Sequence, residues 1–118
     1  MAQKVPVSVI ETPEFLAATH KLMGEAERML LVDYLAYNSS AGDLIGGTGG
    51  VRKLRWALEG RGKRGGARVI YFYHDADMPL FALTAYAKND RADLSQQDRN
   101  DFKRLTAMLV EAFKRRKT

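Results

Sequence analysis

The segment from Ala67 to Ala87 constrains the fold more than any other part of the chain. Ala67–His74 and Leu80–Ala87 are two runs dense in β-branched and aromatic residues, joined by the five-residue polar connection Asp75–Pro79. Such side chains suit a pleated, half-buried surface, and a short polar connection folds one run back on the other. The spacing predicts an antiparallel hairpin. With His74 opposite Leu80, Arg68 falls opposite Tyr86, and Lys88 lies just beyond on the same face.

The remaining elements are read around this hairpin. Arg52–Leu58 is a further strand candidate, with Leu54, Trp56 and Leu58 on one face and Lys53, Arg55 and Ala57 on the other. The apolar face belongs to the core and the basic face is open, while Arg52 is left on the mainly apolar side. Val5–Ile10 reads as a short strand that Pro6 would place at a sheet edge. Thr12-Pro13-Glu14 is a helix start, because Thr caps free N–H groups, Pro fits the first helical position and Glu suits the dipole. That helix breaks near Gly24 and resumes through Glu25–Tyr37, as two helices or one kinked helix, with Ala26, Met29, Leu30, Val32 and Ala36 as its apolar stripe. At the C-terminal end, Ser95 and Asp98 form a capping box ahead of Phe102, Leu105, Leu109, Ala112 and Phe113, which recur at helical spacing. The order predicts one α+β domain over 1–118, a small, mainly antiparallel twisted sheet with N-terminal helices and a C-terminal helix covering one face.

Charge is unevenly placed on this frame. The 118 residues carry a net charge of +5, but Val51–Arg68 holds Arg52, Lys53, Arg55, Arg61, Lys63, Arg64 and Arg68 against Glu59 alone. Lys114–Lys117 is a second basic run, and outside both the chain is acidic. A polarised surface of this kind suits a polyanion. The absence of cysteine excludes disulfide scaffolds and thiolate chemistry and favours a reducing, intracellular setting. No apolar run approaches the ~20 residues of a membrane span, and Met1–Val9 lacks the pattern of a signal peptide, so a cytoplasmic protein is expected.

Several familiar chemistries find no footing. Gly46-Gly47-Thr48-Gly49-Gly50 lacks the Gly-Lys-Ser/Thr ending and the preceding strand of a nucleotide-binding loop, and reads as a tight turn. Gly60–Gly66, with Arg61, Lys63 and Arg64 interleaved, is not a dinucleotide fingerprint and reads as an exposed loop that contacts phosphates. His20 and His74 have no third ligand at metal-binding spacing, so no metal or other cofactor is expected. What remains is the strand face on which Lys53, Arg55, Arg68, Tyr86 and Lys88 converge. Such a face neutralises phosphates, and Tyr86 adds a stacking surface or a hydroxyl. The plain alternative is a solvated basic strand.

Four ordered blocks carry a family resemblance: Gly47-Thr48-Gly49-Gly50-Val51-Arg52-Lys53-Leu54-Arg55-Trp56, the linker Gly60–Gly66, Arg68-Val69-Ile70-Tyr71-Phe72-Tyr73, and Tyr86-Ala87-Lys88-Asn89. Together they resemble the RelE superfamily toxins of type II toxin–antitoxin systems, in particular the HigB-like branch. The resemblance implies a RelE-like fold and a metal-independent endoribonuclease that cuts mRNA in the decoding site of the ribosomal small subunit, held silent by a cognate protein antitoxin. By position, Lys53 and Arg55 fall on the family's paired basic residues, Arg68 on the strand arginine that holds the scissile phosphate, and Lys88 near the end-of-strand basic residue proposed as an acid. Arg61, Lys63, Arg64, Tyr86 and Asn89 are the expected RNA contacts. Where the family carries a downstream stacking tyrosine this chain has Ser95, and Tyr86 is the candidate substitute. Two other readings stand beside this one: a non-catalytic inhibitor of DNA gyrase resembling the ParE branch, and a ribosome- or RNA-binding domain without nuclease activity. Cleavage requires the Lys53, Arg55 and Arg68 cluster; gyrase binding does not.

Overall fold

Five of the six residues of Ala67–Phe72 are buried, and the half-buried exception is Arg68. A strand reads this way when it has neighbours on both edges and layers on both faces. The computed structural model, which describes residues 2–58, 66–90 and 93–117, supplies both. The elements in chain order are β1 (Val9–Glu11), α1 (Pro13–Leu22), α2 (Glu25–Tyr37), β2 (Asp43–Leu44), β3 (Val51–Trp56), β4 (Ala67–Phe72), β5 (Leu80–Ala87) and α3 (Gln96–Lys117). The sheet order is β1-β5-β4-β3-β2, with β1 parallel to β5 and the other pairs antiparallel. The fold is the α+β class expected from the sequence, with β1 at an edge.

The helices do not share one face. Alternation along β4 sends Val69 and Tyr71 into a core with Phe15 of α1 and Leu31 and Leu35 of α2, while Ile70 and Phe72 enter a second core backed by Phe102, Leu105, Leu109 and Phe113 of α3. The expectation of helices on a single face is therefore corrected. The physical reason lies in β4 itself: the run Val69-Ile70-Tyr71-Phe72 is apolar on both faces and needs cover on both.

Thr12 caps α1 as the sequence implies, accepting the Phe15 N–H at 3.2 Å. Its hydroxyl also donates to the Ala82 carbonyl at 2.9 Å, which ties the β1–α1 junction to β5. The break at Gly24 gives two helices. On α2 the apolar stripe differs from the expected one. Leu31 and Leu35 are fully buried, whereas Met29 and Leu30 are 61% and 65% exposed. Apolar residues surround much of α2, so periodicity alone does not select the inward face.

The hairpin register agrees with the sequence over one half and slips over the other. Arg68 pairs with Tyr86 and Ile70 with Thr84, but Tyr71 pairs with Ala82, leaving Leu83 as the extra residue of a bulge. Tyr86 and Thr84 thus lie on the α3 side before the bulge, as do Leu83 and Phe81 after it. The assumed pairing of His74 with Leu80 does not occur: the ladder ends at Phe72 and Phe81, one residue out of that register, and Leu80 pairs with Val9 of β1 on the other edge of β5. Within the 38–50 region, β2 forms a two-residue strand absent from the sequence reading. The buried Tyr71 hydroxyl fixes the path leading to it, donating to the Ser39 carbonyl and accepting the Gly42 N–H, each at 2.8 Å. A side chain at Gly42 would meet the Tyr71 ring at 2.9 Å.

Candidate active site

β3, β4 and β5 place three candidate side chains in one row across the sheet. Arg55 pairs with Arg68, and Arg68 pairs with Tyr86. Lys53 lies two residues along β3 from Arg55, on the same, α3-facing side. Arg55 is exposed and Arg68 half-buried. Like charges directly opposite each other on paired strands repel, and the cost is normally avoided. Among the described residues neither arginine has an acidic partner; Arg68 donates only to the neighbouring Ala67 carbonyl, at 3.3 Å. The row thus presents two guanidinium groups on rigid strands, with no carboxylate among the described residues to answer their charge. An anion is the group that answers it, and planar guanidinium forks suit phosphate oxygens.

Of the other predicted residues, those that the structure describes lie at the end of the row and in the turn beyond β5. Tyr86 is half-buried, packed beside the α3 core, with its hydroxyl enclosed. Lys88 and Asn89 are exposed in the turn after β5, where the Lys88 N–H donates to the Gly66 carbonyl at 3.0 Å; together with Lys21 and Leu22 they border a shallow cavity at the end of α1. Arg61, Lys63 and Arg64 lie outside the described residues. Arg52 faces away from the row, as its place on the alternation implies, and its guanidinium donates to the Gly42 carbonyl at 2.7 Å and the Ser40 carbonyl at 3.1 Å. His20 is exposed on α1, and His74 sits 3.6 Å from Asp75.

The glycine run is a tight turn. Gly47, Gly49 and Gly50 all have positive φ, and the Ile45 N–H donates to the Val51 carbonyl at 2.9 Å to close it. It is also the seat of α3, which the sequence reading missed. Thr106 donates to the Thr48 carbonyl at 2.9 Å, and a Cβ at Gly49 would lie 2.3 Å from the Thr106 hydroxyl oxygen. Ser95 and Asp98 form the predicted reciprocal cap of α3, each side chain accepting the other's N–H at 3.0 Å.

The start of α3 brings in two further residues that the sequence reading did not single out. Asp93 lies 3.5 Å from Lys53 and 3.7 Å from Arg99. The Leu94 N–H, which opposes a weaker effect of burial, and the nearby Lys53 together hold the Asp93 carboxyl below its ordinary range. The available sequence signal was an acidic residue just ahead of a capping box, but its partner on β3 is 40 positions away and only the fold brings the two together.

Among the described residues no helix is long and apolar enough to cross a membrane. In a comparison with protein-family models, the RelE toxin of the RelE/RelB toxin–antitoxin system matches residues 32–117. The match runs from within α2 through α3 and includes Lys53, Arg55, Arg68, Tyr86 and Lys88, and the chain belongs to the RelE toxin family.

Proposed function

We propose that this toxin is an endoribonuclease that cuts mRNA in the decoding site of the ribosome, without a metal ion, and that a cognate protein antitoxin holds it silent. The observation that carries the reading is the opposed pair Arg55–Arg68, two cations on adjacent strands with no acidic partner among the described residues. A chain retains such a costly arrangement where an anion completes it.

The chemistry matches these residues. The 2′-hydroxyl of the message attacks the adjacent phosphorus, forming the 2′-O–P bond and breaking the bond from phosphorus to the 5′ oxygen. A cyclic phosphate and a free 5′-hydroxyl result. The attacking hydroxyl gives up a proton and the departing oxygen gains one, while negative charge builds on the non-bridging oxygens. Arg68, fixed on the central strand, holds those oxygens, and Arg55 shares the developing charge. Lys53 assists attack at the 2′-hydroxyl, and Lys88, in the turn after β5, protonates the leaving oxygen. Tyr86 flanks the row, with Arg61, Lys63, Arg64 and Asn89 as outer RNA contacts.

Mapping message 5′ ends shortly after induction tests the reading. New ends in phase with codons are expected, and they disappear in Arg68→Ala. Growth arrest without such ends, accompanied by loss of DNA supercoiling activity, removes the nuclease reading in favour of gyrase inhibition.

A further inference from the structure

Asp93 places a carboxylate at the margin of the basic row. Its Oδ1 lies 3.5 Å from Lys53 Nζ and accepts the Leu94 N–H at 2.8 Å, while Oδ2 lies 3.7 Å from the Arg99 guanidinium. One anion thus bridges a cation on β3 and a cation on α3, one oxygen to each. The two non-bridging oxygens of a phosphodiester engage a pair of cations in the same manner. We propose that Asp93 is an internal stand-in for an RNA phosphate, filling an anion site of Lys53 and Arg99 that a backbone phosphate takes over when RNA binds. The proposal rests on the RNA-cleaving reading and adds Arg99 to the binding surface.

Three observations carry it. The bridge is loose: both cation distances exceed those of strong charge-assisted hydrogen bonds, and the Asp93 side chain is 51% exposed. Ion pairs of that kind are weak and exchange readily. Second, Lys53 and Arg55 share a face and are separated by two strand steps, about 6.6 Å at ~3.3 Å per residue. An anion at Lys53 therefore sits about one nucleotide from an anion held by Arg55 and Arg68. Third, Arg99 does not depend on Asp93 for its place, because its other terminal nitrogen donates to the Gly46 carbonyl at 3.2 Å. Once the carboxylate swings out, both cations remain where a phosphate can use them.

Competition with phosphate and a purely structural role for Asp93 predict effects of opposite sign. If Asp93 merely positions Lys53, its removal weakens RNA binding; if it competes with phosphate, its removal strengthens binding. The test uses the whole chain and two probes, inorganic tripolyphosphate and a short single-stranded RNA made uncleavable by 2′-deoxyribose at the cut position. Tripolyphosphate should shift the Leu94 amide resonance as the Asp93 bond is lost. Calorimetry should show both probes binding several-fold more tightly to Asp93→Asn, with the salt dependence for RNA steeper by about one phosphate contact. Asp93→Ser, which keeps an acceptor for Leu94, should behave alike. Asp101→Asn, an equal charge change at a site paired with Arg104, should move affinity less than twofold. Adding Arg99→Ala to Asp93→Asn should abolish the gain.

Weaker or unchanged binding by Asp93→Asn, or a gain no larger than that of Asp101→Asn, overturns the proposal and leaves the nuclease reading intact. The tripolyphosphate result without any RNA binding supports the anion site and removes RNA as its ligand. A Leu94 amide that does not respond to tripolyphosphate also overturns the proposal.

Discussion

Arg55 and Arg68 occupy directly opposed positions on β3 and β4, and among the described residues neither meets a carboxylate. Their neighbours explain why the arrangement persists. The strands that carry them are anchored from both sides: Leu54 and Val69 lie in the core under α1 and α2, while Val51 and Ile70 lie in the core under α3. Packing on both faces therefore maintains the register that holds two like charges together.

This relationship separates stability from activity. Arg68→Ala should lower cleavage on programmed ribosomes by about a hundredfold or more, the usual scale for removing one fixed group that stabilises developing charge. The same change relieves cross-strand repulsion, which is worth roughly 0.2–1 kcal/mol, so the melting temperature should stay level or rise slightly. Arg68→Lys should recover little, because a point charge does not reproduce a two-pronged guanidinium contact. A parallel loss of activity and melting temperature would assign Arg68 to the core instead.

Tyr71 is the buried polar group on which the 38–44 path depends. Tyr71→Phe leaves the Ser39 carbonyl and the Gly42 N–H without their partner and should cost about 1–3 kcal/mol in urea unfolding. Burial, partly offset by the Gly42 N–H and the nearby Arg52, raises the Tyr71 pKa above its ordinary value. The folded state therefore holds this proton more tightly than the unfolded chain does. Stability from this group is fully present below the unfolded value near 10 and declines as pH rises through the higher folded one. Unfolding measured across that range should show a steeper loss for the native chain than for Tyr71→Phe.

Local chemistry was the most legible part of the fold. Thr12, Gly24, Ser95 and Asp98 act within a few residues of themselves, and each of these signals corresponds to an observed cap or break. The opposition of Arg68 and Tyr86 was also readable, because the pairs on the far side of the bulge from the connecting turn keep the simple register. The bulge at Leu83, the two-sided cover of β4 and the inward face of α2 were not readable, since each is decided by packing between distant elements. In the candidate site, strand alternation grouped Lys53, Arg55 and Arg68. The placement of Asp93 and Arg99 beside Lys53 required knowing where α3 returns to the sheet.

The capping box of α3 controls how firmly that return is held. Asp98→Ala removes the acceptor for the Ser95 N–H and an acidic group from the first turn, and should cost roughly 0.5–2 kcal/mol. Ser95→Ala should cost a similar amount, with the double variant costing less than the two together because both act on one cap. A double-mutant cycle by chemical denaturation measures the shortfall; full additivity would show that the two bonds act separately.

The seat of α3 on the glycine turn gives a sharper steric test. Gly49 has φ of 78°, a region that disfavours side chains, and a Cβ there would fall 2.3 Å from the Thr106 hydroxyl oxygen. Gly49→Ala should therefore destabilise by about 2 kcal/mol or more, through backbone strain and through displacement of Thr106 from the Thr48 carbonyl. Thr106→Ala removes the obstructing oxygen and the same hydrogen bond. In the Thr106→Ala background, Gly49→Ala should consequently cost less than it does in the native chain, because only the backbone strain remains. Chemical denaturation of the four proteins measures this difference. Equal costs in both backgrounds would mean that α3 does not rest on the turn through Thr106.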